Sequence, residues 1–96
     1  MTQPTSPAGT HPRQIPGARL KRRAGQVLLV DADRTVALVG NESAAALWQL
    51  CDGATSIEEM VTASCEVSAL SFDRATDDVE KTLTEFERAG LISFDA

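Results

Sequence analysis

The hydrophobic period of this chain changes once, at the Gly40–Asn41 junction, and that change dictates what it can fold into. Before it stand two short apolar runs, Gln26–Asp31 (QVLLVD) and Thr35–Val39 (TVALV), joined by Asp31-Ala32-Asp33-Arg34. Aspartates in such a connector bond their own backbone, so the two runs read as a β-hairpin. Ala18–Arg22 alternates weakly ahead of them and breaks at Gly25. Together these segments predict a three-stranded antiparallel meander.

After Gly40 the apolar spacing becomes helical. Asn41 is a good N-cap, with Glu42 placed where the helix dipole favours an anion. Ala44, Leu47, Trp48 and Cys51 share one face and Gly53 supplies a left-handed C-cap, which gives a first helix over Glu42–Asp52. Ser56 and Glu59 form a capping box for a second helix, Ile57–Glu66, with Ile57, Met60, Val61 and Cys65 on its buried face. Val67–Phe72 reads as an irregular link. Asp73 or Thr76 caps a third helix that buries Val79, Leu83 and Phe86, with Thr82 beside them. Gly90 ends this helix, Leu91 folds back on Phe86, and Leu91–Phe94 forms a last extended piece. Neither a sheet nor a helix layer buries its apolar side alone. The expectation is an α+β fold of winged helix-turn-helix layout, a three-stranded antiparallel sheet followed by three helices.

The 96 residues allow one domain. Met1–Pro16 holds all four prolines and no apolar period, and reads as a disordered tail before a domain over residues 17–96. The tail lacks the apolar stretch of a signal peptide, and nothing approaches the roughly 18 apolar residues of a membrane span. Cys51 and Cys65 match neither a disulfide framework nor a metal spacing and read as small core residues, with no cofactor implied. The location expected is cytoplasmic. Charge is uneven: Arg13, Arg19, Lys21, Arg22 and Arg23 precede any acid, whereas the 71 residues after Gly25 carry four basic and 14 acidic side chains. Such a domain repels phosphates, so nucleic acid is disfavoured as a partner. The basic stretch Arg19–Arg23 reads as a solvated strand edge.

Catalytic constellations are thin. The one histidine, His11, stands in the tail, and the glycines are scattered in turn and cap positions rather than grouped in a phosphate loop. Asp77, Asp78, Glu80, Glu85 and Glu87 interleave with Lys81 and Arg88 at helical spacing, the pattern of a solvated face. Binding is a better fit than catalysis. Thr35–Val39 has no proline and no charge, and at a sheet edge it suits the addition of an extended peptide. Periodicity alone leaves open whether that strand is an edge or is covered.

The stretch Asn41-Glu42-Ser43-Ala44-Ala45-Ala46-Leu47-Trp48-Gln49-Leu50-Cys51-Asp52-Gly53 resembles the first-helix signature of PqqD-like proteins. Ser56-Ile57-Glu58-Glu59-Met60-Val61 is similar to the start of that family's second helix, and Asp78-Val79, Leu83, Phe86 and Ala89-Gly90-Leu91-Ile92 to its last helix and exit. The likeness covers Ala18 to Ile92. It implies a RiPP recognition element, where RiPPs are ribosomally made, post-translationally modified peptides. Such a domain is not an enzyme. It binds the leader of a precursor peptide as a strand added to its third strand, beside the third helix, and presents it to a modifying enzyme, commonly a radical SAM protein. That enzyme is expected to be a separate chain, met in trans. By position the resemblance implies peptide contacts from Thr35, Val36, Ala37, Leu38 and Val39 on the strand and from Asp78, Thr82 and Glu85 on the helix. Lys81 and Arg34 are placed to read an acidic leader side chain. The sequence departs from the family at Gly40, where an apolar residue is usual; its loss removes an anchor and loosens the strand-to-helix joint. Two other readings compete. A winged-helix DNA-binding protein would share the layout, but Asp77–Arg88 carries five acids against two bases. A homodimer paired through the free strand is compatible with peptide binding.

Overall fold

The computed structural model describes residues 11–94. Its elements run β1 (Arg13–Gln14), β2 (Arg19–Arg23), β3 (Gln26–Val30), β4 (Val36–Gly40), α1 (Glu42–Gln49), α2 (Ile57–Ser68), α3 (Phe72–Arg88) and β5 (Ile92–Ser93). The main sheet is the expected antiparallel meander, in the order β2-β3-β4. Three helices follow it.

Strand β3 lies between its two neighbours and carries the sheet's part of the core. Val27 and Leu29 have no exposed surface. Leu20 on β2 and Leu38 on β4 stand opposite Leu29, and all three face the helices. Against them pack Ala45, Leu47 and Trp48 of α1, Met60 and Val61 of α2, and Val79, Leu83 and Phe86 of α3. The amphipathic pattern of each helix therefore predicts its buried face, with three refinements, the first being that Cys65 of α2 is only half-buried. Ala45 rather than Ala44 is the deeply buried alanine of α1, and Ala75 joins the buried face of α3 one turn earlier than expected.

The helix ends show where local chemistry overrode or obeyed the pattern. Asn41 caps α1, its side chain accepting from the Ala44 amide at 3.0 Å. Ser56 and Glu59 make both bonds of the capping box. At the end of α3 the Leu91 amide donates to the Phe86 carbonyl (2.9 Å) and the Gly90 amide to that of Glu87 (3.1 Å), the Schellman pair. Helix α1 ends at Gln49, three residues sooner than expected. The Asp52 carboxylate accepts from the Ala54 and Thr55 amides, both at 2.8 Å, and this turn competes with the helix. Gly53 is left-handed (φ +80°) but is not the C-cap; a Cβ there would lie 3.0 Å from the Arg13 guanidine. Helix α2 runs on to Ser68 and closes with Ala69 in the left-handed region. The cap of α3 is then Ser71, accepting from the Arg74 amide at 3.2 Å, in place of Asp73 or Thr76.

The prolines before Gly17 do not keep that segment out of the fold. Residues 1–10 of the expected tail lie outside the described residues, but β1 pairs antiparallel with β5, Arg13 opposite Ser93 and Gln14 opposite Ile92. Pro12 is buried; it has no N–H to satisfy, and its carbonyl accepts from the Gly53 amide at 2.9 Å. The Gln14 amide donates to the Cys51 carbonyl and the Ile15 amide to the Leu91 carbonyl, both at 3.0 Å. The Gln14 side chain donates at 3.0 Å to the Trp48 carbonyl, which also accepts from the Cys51 amide at 3.0 Å. A two-residue strand has no period to read, which is why the pattern misses it. A chain that begins at Gly17 loses these bonds and uncovers the floor of the core. Its unfolding free energy in urea should fall by about 2–4 kcal/mol, with each bond worth ~1 kcal/mol net.

Candidate functional site

A three-stranded sheet has two edges, and here they differ in chemistry. β2 carries Arg19, Lys21, Arg22 and Arg23 along five residues. Charged side chains of this kind discourage a further strand. Arg22 is also tied inward: its guanidinium donates to both oxygens of Glu42, at 2.8 and 2.9 Å, joining the sheet to the first turn of α1. The hydrogen bond from Arg22, with its charge, holds the Glu42 carboxyl below its ordinary range.

β4 is the other edge. It carries no charged side chain, and no described strand pairs its outer side. Val36 and Val39 are 49% and 54% exposed. The ladder to β3 pairs Val27 with Gly40, Leu28 with Val39 and Leu29 with Leu38, then shifts so that Val30 meets Val36. Ala37 is left without an opposite number. A bulge interrupts an edge as a template, so the regular part of this one is its Leu38–Gly40 end.

That end leads into α1. Gly40 was expected to loosen the joint; in the structure it is the point where α1 comes closest to the strand. A Cβ on Gly40 would stand 3.0 Å from the Ala44 Cβ. The missing side chain lets α1 begin hard against the strand, with Asn41 capping it immediately.

Beside the joint lies a cleft of about 320 Å³, between the start of α1, the end of α2 and the middle of α3. Ala44, Leu47, Leu70 and Val79 give it apolar walls. Asn41, Ser43, Ser64, Ser68, Thr82 and Asp78 supply its polar groups. One carboxylate and no cation line it.

The residues singled out in the sequence fall into three places. Val36, Ala37, Leu38 and Val39 form the edge strand, with Thr35 just before it; the Thr35 amide is taken by the Asp31 carboxylate at 3.0 Å. Arg34 is exposed in the β3–β4 turn with φ +67°, at the far end of β4 from the cleft. Asp78 and Thr82 line the cleft. Lys81 does not; it lines an adjoining shallow depression on α3 with Arg74, Asp77, Asp78, Glu80 and Thr84, so Asp78 borders both. Glu85 is exposed and lines neither. Missed in the sequence were the α2 serines, Ser64 and Ser68. Their i, i+4 spacing puts them on one face and was the available signal.

Cys51 has no exposed surface, and its Sγ donates to the Leu47 carbonyl. Burial, with the charge of Asp52, pushes its thiol up to about 12. Among the described residues no group of three His, Cys, Asp or Glu side chains is placed to hold a metal ion. No described helix is long and apolar enough to cross a membrane.

The family model for coenzyme PQQ synthesis protein D (PqqD) matches residues 26–92. This chain belongs to the PqqD family. The match begins at β3 and ends in β5, so β2, with its basic residues, and the β1 strap stand before it. No curated protein and no solved structure matches the chain significantly. PqqD membership is consistent with an accessory, peptide-binding role in the biosynthesis of a modified peptide rather than with catalysis.

Two titrations check the electrostatics. Glu42 has a lowered folded pKa, so its pairing contributes in full above the unfolded value near 4.5 and is lost as pH falls through the folded value. In a carboxylate-detected NMR titration, Arg22→Gln should move the Glu42 midpoint up toward 4.5. Cys51 has a raised folded pKa, so the unfolded chain ionises first and stability should decline from about pH 9 upward. At pH 8, iodoacetamide should leave Cys51 unmodified until the protein is unfolded, as mass mapping would show.

Proposed function

We propose that this protein is a non-catalytic adaptor in RiPP biosynthesis that takes the leader of a precursor peptide as an added strand on β4 and presents it to a separate modifying enzyme. The observation that carries this reading is the unpaired, uncharged β4 edge, which passes through Asn41 into the helix that walls a cleft, in a chain of the PqqD family. Backbone groups of the edge supply affinity without regard to sequence, and side-chain contacts beside it supply choice. Thr35, Val36, Ala37, Leu38 and Val39 are the strand's contribution, with Asp78 and Thr82 across the cleft. Lys81, Glu85 and Arg34 flank the peptide's path rather than the cleft. The enzyme served is of the radical SAM type or similar, acts in trans in the cytoplasm, and brings its own cofactors.

The exposed acids of α3 oppose a nucleic-acid reading, because phosphate contacts need the opposite charge.

The test is an amide NMR titration with a synthetic peptide covering the N-terminal half of the short reading frame beside the gene. Shifts should concentrate at residues 36–40 and on the cleft side of α3, with Kd in the micromolar range or below. N-methylating single peptide residues in turn should abolish binding at alternate positions, since only every second amide of an added strand points at β4. Loss of binding with no alternation would mean capture by side chains alone. Shifts at β4 that appear with rising protein concentration and no peptide would instead mark β4–β4 pairing between two copies.

A further inference from the structure

We infer that the cleft beside β4 selects a peptide carrying a lysine or arginine, whose cationic head meets Asp78. The inference rests on the adaptor reading above and specifies the charge of the peptide it takes.

The geometry starts at Gly40. In an antiparallel ladder, directly opposed side chains project to the same face of the sheet. Gly40 stands opposite Val27, which is wholly buried on the helix side. A strand added on the free side of β4 therefore turns the residue opposite Gly40 toward the helices as well. Gly40 has no side chain to occupy that space, and the first group met is Ala44, which walls the cleft. The bulge at Ala37 leaves this end of β4 as the regular docking register. The peptide residue at that position is thus directed into the cleft.

The lining decides what fits. Ala44, Leu47 and Val79 offer an apolar wall, and Asp78 with the Thr82, Ser64 and Ser68 hydroxyls offers acceptors in the same cleft. Among the described residues Asp78 forms no ion pair, and no Lys or Arg lines the cleft to neutralise it. A side chain with an aliphatic stem and a cationic head matches both parts, burying the stem and pairing the head. An acidic side chain would face a like charge there. Asp78 also borders the adjoining depression, where Arg74 and Lys81 stand with Asp77 and Glu80; three acids against two bases leave the sign there negative.

The experiment uses the same leader peptide and full-length protein, with affinities from calorimetry. Asp78→Asn should weaken binding about threefold and Asp78→Lys about tenfold, the loss shrinking in 0.5 M salt, about four ångströms of Debye length. Replacing the peptide's cleft-directed Lys or Arg with Glu should cost a similar factor against the native protein and be restored by Asp78→Lys. Asp77→Lys, which makes the same charge change one residue away and outside the cleft, should alter affinity by less than about twofold. Asp78 is exposed, so circular dichroism should show each variant folded. Unchanged affinity in Asp78→Lys, or a bound peptide with no cation at that position, would overturn the inference while leaving strand addition on β4 intact. Absence of any peptide shift on β4 would remove the adaptor reading and this inference with it.

Discussion

The indole N–H of Trp48 donates to the carbonyl of Leu91 at 3.3 Å, and three separate parts of the chain converge on that contact. Leu91 is the residue that leaves α3 through the Schellman turn. Its carbonyl also accepts from Ile15, and the Trp48 carbonyl accepts from Gln14. The end of α1, the exit of α3 and the β1 strap are therefore locked at one node. Trp48 is 4% exposed and Leu91 fully buried, so the indole bond forms where water cannot replace it. With the helices held there, their apolar faces close over Val27 and Leu29.

This arrangement leaves the site at the other end of α1. The helix is anchored at its C-terminal end by the node and at its start by Asn41, the close approach of Gly40 and the Arg22–Glu42 pair. Its first turn can thus form one wall of a cleft while the strand before it keeps a free edge. The two sheet edges serve opposite ends. The charges on β2 protect that edge from pairing, and the uncharged β4 stays open to it. Two open edges would invite self-association.

Much of the fold was legible because it rests on local chemistry. The 3.6-residue spacing of Leu47, Trp48 and Cys51, and of Val79, Leu83 and Phe86, marks buried faces without knowledge of the partner. Ser56 with Glu59, Asn41, and Gly90 followed by Leu91 are short-range signals that the structure obeys. The misses share a cause. Asp52 ended α1 early through an Asx turn while Gly53, the residue that looked like the cap, made room for Arg13. Pro12 and Gln14 gained their places only from acceptors near residue 50 and residue 91. Of the candidate site, the strand was legible as an uncharged apolar run. Its status as an edge, the bulge at Ala37 and the cleft with Ser64 and Ser68 were not.

The sequence by itself determined the three main strands and three helices in their order, the Asn41 cap, the Ser56–Glu59 box, the Gly90 stop, most of the buried faces and the contrast between a basic start and an acidic remainder, because each depends on residues within a turn or two of one another. The tertiary structure alone decided that β4 lies at an edge, that Asp78 rather than Lys81 lines the cleft, and that Pro12 is buried with Gln14 and Ile15 bonded to the ends of α1 and α3. Those outcomes depend on which distant groups meet, and neither hydrophobic period nor local propensity encodes a contact between residues 14 and 48 or between Gly40 and the wall of a cleft that three helices build together.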